Sequence, residues 1–568
     1  MMRIRNLLLL VTVLTASVGL GVWALQSQTP SRAAPQPEGA ARGKLPQGHV
    51  YACIVEQPDD VNPFTASSPV AQRFVLGMTH DTLLDRDPAT GELRASLAES
   101  YELDGDGGGC VFTLRDGVQF ADGSPMTTAD VLFGWDLAAA GHLTLGFAGG
   151  AFARIASVGV LGERRLHVRF KDRHFAALAM VGENWIVGQR QFFVDRVAAQ
   201  ARRLGQPVPD VATREFAVLL QQIKRECGPG SGPYELRNPP EGGGTWIEGQ
   251  ELVLRRNDRS WRRSARPGTW NLAGFRLLFR SAATIPAALA KHEIDWCMVR
   301  DPAAEFAKHP ELEADYRAVS YAYPRIGVHR ATWNCRRPPC EDARVRRALA
   351  MLFDRQGLAD RFPQHAGVAE AFALRGSPEY PTTPGTKFDP AAARAELRAA
   401  GYDPVGGKPL HLELLVPQGS AELDAALAGF QDAARGVGID LQVRQLDFPG
   451  FVAERARGNW DGEIAVQALA MNGDPYELVH TDGADNIGGY SNPEVDRLAE
   501  AARIESDPAR RAAIWRELNT AVQRDQPVTF LLQPRVQMLF NRHIEGATAG
   551  PLGMVPETMW VPEASQRR

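Results

Sequence analysis

The chain has 568 residues, 44% of them hydrophobic and 23% charged, with 54 glycines and 39 prolines. Single hydrophobic cores stop growing beyond roughly 250 to 300 residues, so two or three lobes are expected, and the ordinary balance of apolar and charged residues excludes a disordered or fibrous chain. A formal charge of −4 leaves no basic surplus to neutralise a phosphate backbone and argues against nucleic acid as a partner.

Arg3 and Arg5 precede an apolar run from Leu7 to Leu25, which reads as an export signal, with Val22-Trp23-Ala24 small enough for cleavage after Ala24. The run is also long enough to stay in a bilayer, so residues 1–25 are either a signal peptide or a signal anchor. Residues 26–47 are rich in Pro, Ala, Gly and Gln without periodicity, as in a flexible linker. The mature chain is therefore expected outside the cytoplasm. In that compartment six cysteines are expected to pair rather than to bind metal. Cys335 and Cys340 bracket a Pro-Pro loop and form the nearest local pair; Cys53 and Cys297, both in strand-like segments, form a second candidate pair.

VYACIV, Val50 to Val55, is a short apolar run that ends in the breaker-rich loop EQPDDVNPFTASSP. Further on, two strand-like pieces flank the Gly-rich turn at Asp104-Gly105-Asp106. This turn resembles the start of a calcium loop, but Arg115 stands where a bidentate Glu is required, so a hairpin turn is expected. Thr127-x-x-Asp130 marks a capping-box start of a helix. In EDARVRRALAMLFDRQGL, residues Val345, Ala348, Leu349, Leu352 and Phe353 fall on one helical face and predict a helix lying on a core. Asp389-Pro390, Asn492-Pro493 and Asp507-Pro508 each place an N-cap before a proline at the first helical position. Between these helices LHLELLV, IDLQVRQL and GEIAVQALA read as strands, and the alternation indicates α/β lobes. QALAMNGDPY, Gln467 to Tyr476, leaves such a strand through Asn-Gly and Asp-Pro turn signals. Asp474 is thereby open to two readings, turn residue or ligand anchor.

The motifs of common enzymes are missing. HEIDW has Trp296 where a zinc-protease helix has its second His; there is no G-x-S-x-G elbow and no phosphate loop, since GGKP at Gly406 to Pro409 satisfies neither. GPGSGPYEL reads as a tight turn into a strand. No catalytic residue, cofactor or metal site is expected, and an exported hydrolase is disfavoured.

Several segments, in order, resemble the family 5 extracellular solute-binding proteins of ABC importers, the oligopeptide- and dipeptide-binding group. They are SLAESYELDGDGGGCVFTLRDGVQFADGSPMTTADVLFGW, GSGPYEL with LVLRRNDRSW, PPCEDARVRRALAMLFDR, FDPAAARAELRAAGYDP, and GGYSNPEVDRLAEAARIESDPARRAAIWRELNTAVQRDQPV. The resemblance implies a periplasmic-binding-protein type II clamshell of α/β class, two lobes plus an additional domain. It places a discontinuous domain I at 48–82, 228–322 and 540–568, the additional domain II at 83–227, and domain III at 323–539. It implies a periplasmic or extracytoplasmic binder, acting as a monomer, that closes on a peptide or other small-molecule ligand and presents it to ABC permease subunits. A membrane-anchored receptor or chaperone-like binder of the same fold without a permease is the alternative.

Carried over by local motif, the resemblance puts Ser67 and Ser68 against the ligand, Phe448 at an aromatic wall, and Ser420 where dipeptide binders hold the carboxylate with an arginine. It makes 471–474 the amine-binding segment, with Asn472 and Asp474 as candidates. Alignment on Asp474-Pro475 places Met471, not an aspartate, at the anchor. Each has a plainer reading: Asp474 as a turn acceptor, Met471 as a core plug, Phe448 as core.

Overall fold

The computed structural model describes residues 50–566 apart from 89, 144–151, 237–245, 323–325, 404–405, 471 and 551–552. The expected signal and linker segments, and Met471, lie outside the described residues. The described chain divides into two compact units, 50–319 with 537–566 and 320–536, and the divisions fall inside the strands Tyr316–Ala322 and Arg535–Asn541.

The first unit is built on an eight-stranded sheet whose central strand is the predicted Val50–Val55. That strand runs parallel to Gly274–Phe279 and to Trp296–Met298, so its alternate side chains are covered on both faces. Within the same unit, Ala98–Leu103, Gly109–Leu114, Arg165–Phe170 and Ile155–Gly162 form a four-stranded antiparallel sheet. Its inner side chains, including Phe112, Leu166 and Val168, pack with Phe133, Phe193 and Phe216 from three helices into a separate core. The Asp104 turn joins the first two of these strands as a hairpin, as expected: Gly107 N donates to Asp104 O and Asp104 N to Gly109 O.

In the second unit a five-stranded sheet runs in the order Ile439–Leu446, Leu410–Pro417, Gly462–Gln467, Val328–Trp333, Val528–Phe530. The first three strands are parallel, and Val328–Trp333 is antiparallel to both neighbours. All six residues of Val328–Trp333 are buried. The helix starts read from sequence are capped as expected: Asp389 Oδ1 accepts from Ala392 N at 2.9 Å, Asn492 Oδ1 from Glu494 N at 2.9 Å, and Asp507 Oδ1 from Arg510 N at 2.8 Å. The apolar face Val345, Ala348, Leu349, Leu352 and Phe353 is buried against the sheet residues Leu412 and Leu414. The predicted helix is nevertheless two helices, Ala343–Ala350 and Arg355–Arg361. Asp354 interrupts it by capping the second, accepting from Gly357 N at 2.9 Å.

Both expected cysteine pairings are corrected, for all six cysteines are free thiols. Cys53 stands opposite Trp296 in the parallel pair. Side chains alternate along a strand, so Cys297 points to the opposite face, where it packs with Leu278, Leu289 and Tyr316. Cys335 and Cys340 turn into different clusters. The Cys335 thiol lies 3.5 Å from Trp333 O and packs with the Tyr490 cluster, whereas Cys340 is buried among Trp333, Val345 and Leu349. Burial pushes the Cys297 and Cys227 thiols up to about 12, which keeps them unreactive while folded. Unreduced protein unfolded in guanidinium should therefore titrate six thiols, and a count short by two would restore one pairing.

Candidate functional site

The strand Val328–Trp333 places a charged residue where an apolar one is expected. Arg330 is 1% exposed and lies opposite Ala465 in the antiparallel register, so Glu463 and Gln467, two residues either side, share its face of the sheet. Its guanidinium donates to Glu463 Oε1 at 2.6 Å and to Gln467 Oε1 at 2.9 Å. Arg455, from the last turn of the helix Phe448–Arg457, holds the same carboxylate through Nε at 2.7 Å and a terminal nitrogen at 2.9 Å. Burial pushes the Glu463 carboxyl up, but Arg455 and Arg330 outweigh it and hold the group below the usual range. Two guanidiniums on one buried carboxylate leave an excess positive charge at the sheet face.

A pocket of about 20 Å³ opens beside this triad, lined by Arg330, Thr332, Gln467, Asp485, Val479 and Tyr490 among others. Thr332 follows Arg330 on the same sheet face, and its buried Oγ1 has no hydrogen-bond partner among the described residues. The loop carrying Asp485 is firmly held. Asn486 donates to His480 O at 2.9 Å and to Tyr490 O at 2.7 Å, and accepts from Tyr490 N at 3.0 Å. Arg336 donates to Ile487 O at 2.8 Å, and a Cβ at Gly488 would meet Trp333 O at 2.5 Å. Burial first, then the nearby Glu477, pushes the Asp485 carboxyl up, while Arg455 and Arg330 pull it down.

The candidates read from sequence are placed differently. Ser67 and Ser68 belong to the first unit, where the loop turns on Asp59. Ser67 Oγ donates to Asp59 Oδ2 at 2.6 Å and Ser68 N to Oδ1 at 3.0 Å, while Ser68 Oγ accepts from Ala71 N at 3.1 Å. Burial pushes the Asp59 carboxyl up, and these bonds outweigh it and leave it low. Ser420 caps the helix Ala421–Val437 by accepting from Leu423 N at 3.2 Å, and donates to Glu422 Oε2 at 3.0 Å. Glu422 in turn lies 3.1 Å from His365 Nε2, a contact that holds its carboxyl down at about 2. Phe448 packs with Phe451, Leu415 and Trp460 and is half-buried.

Asn472 Oδ1 accepts from Asp474 N at 3.1 Å, and Asp474 Oδ1 from Tyr476 N at 3.0 Å, which are turn contacts. The other Asp474 oxygen accepts from Arg503 Nε at 2.8 Å, and the Arg503 guanidinium stands 3.5 Å over the Tyr476 ring. The described candidates of the second unit thus have separate partners and do not converge. Arg330, Glu463, Arg455 and Asp485 escaped the sequence reading; the one signal was a charge inside each of the apolar strands VHRATW and GEIAVQ. Among the described residues no group of three or more His, Cys, Asp and Glu could hold a metal ion.

Against known proteins, residues 92–488 match the family model "Bacterial extracellular solute-binding proteins, family 5 Middle", and the chain belongs to that family. It is 24% identical over 483 residues to the oligopeptide-binding protein AppA of Bacillus subtilis, covering 80% of each chain. To the probable deoxycholate-binding periplasmic protein YgiS of Escherichia coli it is 23% identical over 505 residues, 85% of this chain and 87% of the relative. The solved structure of B. subtilis AppA with a nonapeptide superposes with a TM-score of 0.68 at 20% identity, covering 91% of this chain and all of that one. HbpA2 from Haemophilus parasuis gives 0.73 at 16% identity, covering 90% and 99%. The fold is that of type II periplasmic binding proteins, an α/β class.

Two outcomes follow from the buried charges. Glu463→Ala leaves two guanidiniums buried without their counter-ion and should lower unfolding free energy by about 3 to 5 kcal/mol, measured by urea denaturation. His329, buried edge-on to His365 at 5.9 Å, has its pKa pulled down to about 4 by burial, as has His80 in the first unit. Both stay neutral in the fold while the unfolded chain takes up protons near pH 6.5, so stability is full above about pH 6.5 and falls as pH drops toward 4. His329→Gln should flatten that slope in denaturation series across this window.

Proposed function

We propose that this protein is an extracytoplasmic solute receptor that captures a peptide-like or other small solute between its two lobes and delivers it to the permease of an ABC importer. The observation that carries this reading is the family match, which runs through most of both compact units. The division into domains I, II and III is kept as part of the proposal; the separate four-stranded sheet of 98–170 and the core built on it support the additional domain, although Phe64 and Trp261 also join that core. The protein acts as a monomer and performs no chemistry on its solute.

Relatives are named for oligopeptides, deoxycholate, D,D-dipeptides and murein peptide, so the family frame suits a range of organic solutes. Ser67, Ser68, Ser420, Phe448, Asn472, Asp474 and Met471 remain the proposed ligand side of the cleft. Of these, Ser420 and Asp474 act through the caps and turns they hold, since their own polar groups serve internal bonds. With Asp474 engaged by Arg503, a free solute amine needs a different acceptor.

A receptor that closes by hinge motion becomes more compact when loaded. Solute recovered from protein purified from its source and identified by native mass spectrometry should, on re-addition to stripped protein, decrease the X-ray scattering radius. It should also stabilise the protein by about 2.7 kcal/mol at roughly a hundredfold excess over Kd. An unchanged radius at saturation would refute closure.

A further inference from the structure

We propose that Arg256 and Arg263 of the first unit form a binding site for one tetrahedral oxyanion of the phosphate type, seated beside Asp258. Arg256 ends the strand Glu251–Arg256 of the eight-stranded sheet, and Arg263 belongs to the short helix Arg262–Ala265 that follows it. None of these residues is used by the receptor reading, and the test does not depend on it.

Position is the first argument. Arg256 stands opposite Tyr234 in the antiparallel register, and strand alternation puts it on the face of the sheet that buries Leu252 and Leu254. Its Nε donates to Asp258 Oδ1 at 3.0 Å, and Arg263 Nε lies 3.7 Å from the same oxygen while donating to Asn257 O at 3.0 Å. Two guanidiniums thus converge on one carboxylate oxygen. The Asp258 side chain is 75% exposed, whereas those of Arg256 and Arg263 are 13% and 19% exposed.

Hydrogen-bonding capacity is the second. Arg256 Nη1, Arg263 Nη1 and Arg263 Nη2 are buried with no hydrogen-bond partner among the described residues, a costly state for donors withdrawn from water. The neighbouring arginines are not in this state. Arg262 donates to Asp81 Oδ1 at 2.8 Å, Asp85 Oδ2 at 2.9 Å and Ser96 Oγ at 3.3 Å, and Arg259 donates to Ala121 O at 3.1 Å. Tyr234, across the ladder, directs its hydroxyl at Leu272 O at 3.2 Å. Charge is the third. Among the described residues Asp258 is the one carboxylate that contacts Arg256 or Arg263, so the pair keeps a net positive charge. Burial and then the Arg256 charge push the Arg263 pKa down, yet a guanidinium stays protonated at neutral pH. A tetrahedral oxyanion can present a separate oxygen to each of the unpartnered nitrogens, which a carboxylate with its two oxygens cannot. Asp258 competes for the same guanidiniums and, being exposed, can turn to solvent as the ion enters.

The test is equilibrium dialysis of the full chain against radiolabelled inorganic phosphate, with ionic strength held constant by chloride. Wild type should bind phosphate saturably, one ion per chain, and sulfate should displace it at about tenfold lower concentration than acetate does. Arg256→Gln and Arg263→Gln should each weaken binding by about tenfold, the loss expected for a charge-assisted hydrogen bond. Arg263→Lys keeps the charge without the fork and should weaken it less than Arg263→Gln. Asp258→Asn removes the competing carboxylate and should tighten binding, an outcome that a folding defect would not produce. Phosphatidylglycerol vesicles distinguish the sources of such a group: co-sedimentation of wild type that is lost in Arg263→Gln would support the same chemistry and name a lipid phosphate as its source. Binding to neither phosphate nor vesicles would mean that the buried nitrogens hold water only, and would overturn the proposal. So would unchanged phosphate affinity in both glutamine variants, weaker binding in Asp258→Asn, or acetate displacing phosphate as well as sulfate does.

Discussion

Everything at the face of the second unit's sheet depends on one buried carboxylate. Glu463 neutralises Arg330 from the adjacent strand and Arg455 from the preceding helix, and without it two like charges would face each other in a low-dielectric interior. The pairing locks the strand register, since a slip of one residue would send Arg330 to the opposite face, into the cluster of Trp333 and Leu414. It also fixes the helix Phe448–Arg457 against the sheet, with the Arg455 guanidinium 4.5 Å from the Phe451 ring. Buried ion networks of this kind contribute specificity of arrangement more than net stability, and here the arrangement is what defines the pocket wall.

Across the two units the polar residues singled out from the sequence are sorted by whether their bonds are already made. Asp474, Ser420 and the Ser67–Ser68 loop spend their hydrogen bonds on turns and caps, which shapes the segments near them. Their role is to hold backbone. Asp485, on a loop held by Asn486, and Thr332, on the buried strand, differ: no hydrogen bond among the described residues reaches either side chain.

Family membership sets the frame but not the ligand, and the relatives' names range from peptides to a bile acid.

Much of the fold was legible from sequence because its signals are local. Caps at Asp389, Asn492 and Asp507 bond backbone groups only two or three residues away, and the Val345 to Phe353 face repeats at helical spacing. The missed break at Asp354 shows the limit of periodicity, which continues across a helix end when both helices face one core. What tertiary structure alone decided is which distant groups meet. Arg330 finds Glu463 133 residues on, and Arg503 takes Asp474 from 29 residues away. Cys53 and Cys297, in the same sheet, are kept apart by strand alternation. A polar residue's type and spacing set the bonds it can make with its own turn or helix; whether it is spent or available depends on the partners that packing brings to it.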